Sequence, residues 1–405
     1  MSRHGAFRDA EFRALWIAQI LSRAGDQFAR VALTVLAFQV TGSALAAGAA
    51  YAVTLLPWLI GGPLLGWIGD RYPRRAVLLC CDLASAALIA VMAVPGLALP
   101  LLYALLFLAT LLDVPFSAAR SALVRDVFPD DDGYASATAI GSVTAQFAQV
   151  VGFAAGGLVA AATTPGQALL LDAITFLLSA ALVRRYVRKR PAARDAHLEK
   201  ISLLRGVRLV FGDPRLRRLT FYAWLATFLV VPLGVAAPYA SDSGGGARTV
   251  GLLLASSATG TAVSMIVLSR WVPAERRLRL LEPLAVAAGL PLVLCALHPG
   301  PVVSGLLWAL SGAGSGYQLA ANVAFVRAAP NTDRAQAFGV VSAGLVAGQG
   351  IGVVLAGGLA TVVPTAVVVA GAGLLSTLCA LALWAAQAFS PRTTSPSRPR
   401  ARSEA

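Results

Sequence analysis

Arg23, Asp26 and Arg30 interrupt the first long apolar run of this 405-residue chain, with one arginine three residues before the aspartate and the other four after it. That spacing sets all three on one helical face. A charged side chain at bilayer depth costs about 2.5–3.5 kcal/mol even on a lenient insertion scale, so each needs a partner, a water-filled cavity or a task. Three readings fit. The cluster neutralises itself within the helix, or Asp26 exchanges a proton while Arg23 or Arg30 tunes its acidity, or the cluster contacts a polar or cationic substrate. A second set, Asp113 and Arg120, flanks Pro115 in another apolar run and leaves the same choice between a structural ion pair and proton exchange.

Other chemistries find no footing in the residues. The chain has no GxxxxGK[ST] loop and only two lysines, Lys189 and Lys200, so it offers no cradle for the phosphates of ATP. Neither a nucleophile triad nor a paired-carboxylate site emerges, and an enzyme is not expected. Cys80, Cys81, Cys295 and Cys379 lie in or beside apolar stretches without CxxC spacing, and His4, His197 and His298 are scattered. No metal, disulfide or cofactor is expected from them.

The elements that must carry these residues are membrane helices. Hydrophobic residues make up 58% of the chain and charged residues 13%, where soluble domains run near 25% charged. A hydrocarbon core of about 30 Å needs roughly 20 helical residues. Twelve segments satisfy this: 12–40, 44–68, 76–95, 99–127, 133–162, 166–184, 216–240, 249–270, 281–298, 301–328, 335–362 and 364–389. Arg3, Arg8 and Arg13 stand before the apolar run from Ala14, but the charges at 23, 26 and 30 break what would be the apolar core of a cleaved leader, so the start reads as helix one.

Every second connection is basic. Arg71, Arg74 and Arg75, then Arg125, then Arg276, Arg277 and Arg279, then Arg327 and Arg334, and finally Arg392, Arg398, Arg400 and Arg402 occupy one set of gaps. The gaps at 41–43, 96–98, 163–165, 299–300 and 363 hold no Lys or Arg, and 241–248 holds Arg248 alone. By the positive-inside rule both termini are cytoplasmic in the cell inner membrane. The net charge of +14 follows from this asymmetry, with anionic lipid headgroups as partners and no call for nucleic acid. In this frame Asp26 lies about fourteen residues, roughly 20 Å, into its helix, near the midplane. Asp172 falls toward the outer surface, where water could reach it, and Asp82 and Asp126 fall near the cytoplasmic face, where they pair with loop arginines as part of a gate.

The chain also repeats itself. Pro129–Ala160 and Pro330–Thr361 align so that the prolines coincide and Gly156-Gly157 matches Gly357-Gly358; Asp9-Ala-Glu-Phe-Arg13-Ala-Leu15 resembles Asp213-Pro-Arg-Leu-Arg217-Arg-Leu219. The expected architecture is an all-α membrane protein of two parallel six-helix bundles, 1–184 and 213–389. A cytoplasmic linker at 185–212 joins them, and a disordered cytoplasmic tail follows at 390–405. Within the linker Leu203, Val207, Val210 and Phe211 are spaced for an amphipathic helix on the membrane surface.

One loop makes the resemblance specific. Gly66-Trp-Ile-Gly69-Asp70-Arg71-Tyr-Pro73-Arg74-Arg75 resembles the loop signature of the major facilitator superfamily, with Pro73 where a glycine is usual. The second copy, Arg270-Trp-Val-Pro273-Ala-Glu-Arg276-Arg277, lacks the aspartate. The family plan of two similar bundles implies alternating access to a central cavity. The signature implies a cytoplasmic gate of Gly66, Asp70, Arg71, Arg74 and Arg75. Phe116–Pro129, Leu171–Phe176 and Gly25-Asp26-Gln27 are similar to the drug and siderophore exporter branch, of the enterobactin-exporter-like type. Gly152-Phe-Ala-Ala-Gly156-Gly157 is similar to the antiporter motif, whose glycines serve close helix packing, although Phe153 replaces its proline. Arg120 stands where the family often carries an intramembrane arginine linked to proton coupling.

The resemblance implies a proton-coupled exporter of amphipathic small molecules that uses Asp26, Arg30, Asp113 and Arg120. Uptake or facilitated diffusion of a nutrient or lipid, or a sensor or scaffold that transports nothing, remains open because fold does not fix function. The topology is directly checkable. Cysteines introduced within 185–212 should react with a membrane-impermeant maleimide only after the cells are permeabilised, and one introduced at 245 should react without permeabilisation.

Overall fold

The computed structural model describes residues 9–65, 68–190, 203–330 and 333–388; Gly66, residues 191–202 of the linker and the tail at 390–405 lie outside them. Among the described residues every regular element is helical. The first half contains α1 (Ala10–Thr41), α2 (Ala44–Val53), α3 (Leu56–Leu65), α4 (Ile68–Arg71), α5 (Arg74–Met92), α6 (Leu99–Leu111), α7 (Asp113–Val127), α8 (Asp131–Ala162) and α9 (Pro165–Tyr186). Then come α10 (Leu203–Gly212), α11 (Pro214–Trp224), α12 (Ala226–Gly234), α13 (Ala236–Asp242), α14 (Ala247–Trp271) and α15 (Ala274–Arg279). The chain ends on α16 (Leu281–Val293) with a 3₁₀ turn at Leu294–Leu297, α17 (Pro301–Gly314), α18 (Tyr317–Ala328), α19 (Arg334–Leu359) and α20 (Thr365–Ala388).

The repeated Asp motif is a helix cap. Asp9 accepts from the backbone N–H groups of Glu11 at 2.7 Å and Phe12 at 3.1 Å, and Asp213 accepts from Arg215 at 2.7 Å and Leu216 at 3.3 Å. Each satisfies donors that the first turn leaves without a partner. Several expected spans are interrupted, and proline explains three of the breaks. The helical runs stop at Thr54, Leu112 and Val235, each three residues before a proline, at Pro57, Pro115 and Pro238. The proline ring lacks an N–H and clashes with the carbonyl four residues back, so the ladder restarts there.

Nine stretches among the described residues are long and apolar enough to cross a membrane. The remaining expected spans fall short for visible reasons. Helix α1 is 32 residues long but carries Arg13, Arg23, Asp26 and Arg30. The stretch Leu281–Leu297 is apolar but short. Ser315 and Gly316 divide 301–328 into pieces of 14 and 12 residues.

In the first half α1 packs against α8 and α9, and α9 against α5; in the second, α14 packs against α17, α16 against α20, and α19 against α12. The two groups meet where α14 lies on α8 and α19 on α2. Both seams are made by glycine. A Cβ on Gly251 would stand on the backbone of Gly157 and 3.0 Å from the Phe153 carbonyl; one on Gly48 would be 3.1 Å from the Val353 carbonyl; one on Gly357 would be 3.0 Å from that of Ala44. A single buried cluster spans both groups here, with Val31, Val35 and Phe153 against Val235, Tyr239, Leu253 and Val369. The closed end therefore carries the connections at 42–43, 163–164, 243–246 and 360–364.

Helix α10 docks on the start of α19 through fully buried Val210 and through Gly206, whose Cβ would be 2.7 Å from the Gln336 carbonyl. Arg205 pairs with Asp333 at 2.9 Å. Val207 and Phe211, from the expected apolar face, remain exposed. Because overpacking a tight contact costs about 1–3 kcal/mol, Gly251→Val should force α14 away from α8. Spin labels at 163 and 245 should then show a longer distance distribution than in the unaltered protein.

Candidate functional site

Helix α1 brings the intramembrane charges together. One face of it presents Gln19, Ser22, Arg23 and Asp26 to Asp113, Phe116, Ser117 and Arg120 of α7 around a cavity of about 10 Å³. One turn further, Asp26 and Arg30 line a second cavity of about 10 Å³ with Thr54, Thr110 and Asp172. Each is of the size that admits a single water. Gln19 and Arg120 also border a larger space of about 240 Å³ against Tyr134, Thr138 and Ser142. The four residues singled out from the sequence, Asp26, Arg30, Asp113 and Arg120, thus line two adjoining cavities that share Asp26.

Local backbone explains the placement. Pro115 ends α6 at Leu111, and the restarted α7 begins on Asp113. A carboxylate in a first turn faces the free N–H groups and the positive end of the helix dipole. Gly25 lets α9 approach: a Cβ there would overlap the side-chain oxygens of Asp172 and Thr175. On the other side, a Cβ on Gly152 would lie 2.9 Å from the Gln27 side chain and 3.0 Å from the Ala24 carbonyl, and one on Gly156 3.3 Å from the Phe28 ring.

The arginines do not close directly on Asp26. Among the described residues, Asp26 and Asp113 make no side-chain hydrogen bond and no ion pair within 4 Å. Arg23 instead stacks over the Trp58 ring at 5.9 Å and Arg30 over Tyr51 at 5.4 Å. Such stacking accommodates a guanidinium away from bulk water while leaving its charge felt nearby.

Two expectations need correction. Asp172 is fully buried, not open to the solvent at the outer surface: its Oδ1 accepts from the Thr175 hydroxyl at 3.3 Å and its Oδ2 has no partner among the described residues. The tight α1–α9 contact at Gly25 covers it on that side. Asp82 does not pair with a loop arginine; it is 1% exposed and accepts from the Ser179 hydroxyl at 2.7 Å. It faces α9 instead of the loop because α5 packs there. Asp126 does pair with a loop arginine, Arg74.

At the same end Arg75 donates to the Arg184 carbonyl at 2.5 Å. Arg71 is exposed at the end of α4, and the Asp70 side chain, like Gly66, lies outside the described residues. Glu11, buried at the start of α1, accepts from both Arg190 terminal nitrogens at 2.5 and 2.9 Å and from the Arg188 N–H at 3.1 Å. The Glu11 carboxylate thereby holds the Arg190 guanidinium above its ordinary range.

A further site was not foreseen. Between the two helical groups lies a cavity of about 140 Å³ lined by Gln146 and Gln149 of α8, Ser257 and Thr261 of α14, Ser311 and Ser315 beside α17, Gln318 of α18 and Gln349 of α19. Gln146 donates to the Met265 sulfur at 3.3 Å. The signal was present, because a glutamine in an apolar span also needs a partner, but attention to ionisable residues passes over it.

The sequence profile of the Major Facilitator Superfamily matches residues 15–303 and, in a second overlapping match, 219–405. The chain belongs to that superfamily, and it is a multi-pass membrane protein with the superfamily's transporter fold. Solved structures agree. A mutant form of the nucleoside transporter NupG is 14% identical with a TM-score of 0.72, covering 92% of this chain and 99% of its own. A POT family transporter in complex with 5-aminolevulinic acid is 14% identical with a TM-score of 0.75, covering 95% and 96%. A bacterial homologue of the human lysosomal transporter Spinster, inward-facing and occupied, is 14% identical with a TM-score of 0.68, covering 93% and 98%. No curated protein matches the sequence at a significant level.

The Gly25 contact gives a direct test. Gly25→Val should push Asp172 and Thr175 away and lower stability by about 1–3 kcal/mol, read as a drop in the thermal unfolding midpoint in detergent, whereas Gly212→Ala, in open space, should leave it unchanged.

Proposed function

We propose that the protein is a proton-coupled antiporter of the drug and siderophore exporter branch, carrying amphipathic small molecules out of the cell by alternating access. Twelve spans form two six-helix bundles, 1–184 and 213–389, in the inner membrane, with the 185–212 linker, the 390–405 tail and both termini in the cytoplasm. In that orientation the glycine seams at Gly157–Gly251 and Gly48–Val353 lie at the outer end, and the molecule is closed toward the exterior. The substrate occupies the cavity between the bundles.

The observation that carries the reading is the charge count around α1. Asp26, Asp113 and Asp172 share two small cavities with three intramembrane arginines, Arg23, Arg30 and Arg120, and a fourth carboxylate, Asp82, is buried on the neighbouring α5 against Ser179. One carboxylate therefore lacks a cation, and a proton on Asp26 or Asp113 makes up the difference at low cost. Asp26, shared by both small cavities, is the exchange group, with Asp113 beside it and Arg120 and Arg30 at the two ends of the cluster. Helix α8 conveys its state, because Gly152 packs on α1 while Gln146 and Gln149 line the central cavity. Asp70, Arg71, Arg74 and Arg75, with Asp126, latch the cytoplasmic end when it closes.

A proton entering across 100 mV releases about 2.3 kcal/mol, enough for roughly 50-fold accumulation. In inverted vesicles, Asp26→Asn or Asp113→Asn should abolish substrate-driven proton release while leaving the protein in the membrane. Release at the unaltered rate in both variants would remove the site assignment.

A further inference from the structure

The charges of this molecule are unevenly distributed at membrane depth. The first half holds the aspartates and arginines described above. The second-half stretches 219–241, 249–269, 299–326 and 335–388 contain no Asp, Glu, Lys, Arg or His. The central cavity inherits that neutrality, since none of its lining residues is one of these. It shares no lining residue with the two cavities around Asp26.

What the cavity does offer is amide and hydroxyl. Gln149, Gln318 and Gln349 make no side-chain hydrogen bond to any described residue. Each carries two N–H donors and one carbonyl acceptor toward the space. Gln318 also lines a neighbouring cavity of about 220 Å³ whose other walls include Leu219, Leu319, Phe325, Phe338 and Leu345. The glutamine-lined space therefore adjoins a largely apolar chamber of the second half across Gln318.

An ion entering this place would lose its hydration shell and find dipoles but no counter-charge, which is costly in a low-dielectric site. A neutral molecule with both donors and acceptors exchanges water for the amides at little cost. We infer that the transported molecule is uncharged when bound, with a polar hydrogen-bonding group held by Gln149, Gln318 and Gln349 and an apolar body in the chamber beyond Gln318. This rests on the transporter reading above. It adds that the proton and the substrate do not share one carboxylate: Asp26 acts on the cavity only through α8.

The test uses three phenyl-bearing probes: neutral triphenylphosphine oxide, whose oxygen accepts hydrogen bonds, and two ions without a hydrogen-bonding group, the tetraphenylphosphonium cation and the tetraphenylborate anion. Equilibrium binding is measured on the full chain in lipid nanodiscs. The neutral probe should bind saturably, and both ions at least about tenfold more weakly. Gln318→Leu and Gln349→Leu should each weaken the neutral probe about tenfold or more. Gln318→Glu should favour the cation over its binding to the unaltered protein, which keeps the test informative if a leucine variant fails to fold.

Absence of saturable neutral binding, a cation or anion bound as tightly as the neutral probe, or indifference to the glutamine variants overturns the inference. The antiport reading fails separately, if the neutral probe binds as described but its export moves no protons.

Discussion

A full charge has no stable place in hydrocarbon, and that cost organises this molecule. The intramembrane carboxylates and guanidinium groups are gathered on the helices around α1, where aromatic faces, hydroxyls and one another stand in for water. Everything close to that cluster serves its packing. Gly25 admits Asp172 to the side of α1, Gly152 seats α8 on Gln27, and the proline break before α7 turns the free end of a helix toward Asp113. The second half, with no charged residue in 219–241, 249–269, 283–297, 299–326 or 335–388, packs these stretches as an apolar bundle whose central cavity offers amides and hydroxyls.

Lipid adds a second constraint. Apolar side chains gain little by leaving hydrocarbon for one another, so helix contacts in a membrane depend on close backbone approach. The seams between the two halves obey this rule, with Gly157 against Gly251 and Gly48 and Gly357 against the carbonyls of the facing helix. A seam made by fitted backbones either closes fully or not at all, which suits the alternating access proposed above. Of the named ion pairs at the other end, Arg74–Asp126 lies within the first half, while Glu11–Arg190 and Arg205–Asp333 each tie the linker to one half.

The proposed coupling follows from how these two parts meet. Helix α8 touches α1 through Gly152 and Gly156, and the central cavity through Gln146 and Gln149. A change of charge around Asp26 alters what α1 must be packed against, and α8 is the element that borders both places. Separate sites for proton and substrate need such an element. A shared carboxylate would not.

Much was legible in the chain itself. Apolar length gave membrane helices and the loop after the second segment gave the superfamily, because each of these depends on residues near one another in sequence. Charges in apolar runs also announced themselves, and Asp26, Arg30, Asp113 and Arg120 do line adjoining cavities. What depends on which helix faces which was hidden. Asp172 reads as water-accessible from its depth but is covered by the approach of α9 at Gly25, and Asp82 reads as a loop partner but turns to Ser179. The cavity of glutamines from α8, α18 and α19 exists only because distant segments converge, and no spacing along the chain records that convergence. Sequence determines the cost of placing each residue in lipid; only the tertiary structure decides which neighbours relieve that cost, because those neighbours come from other helices.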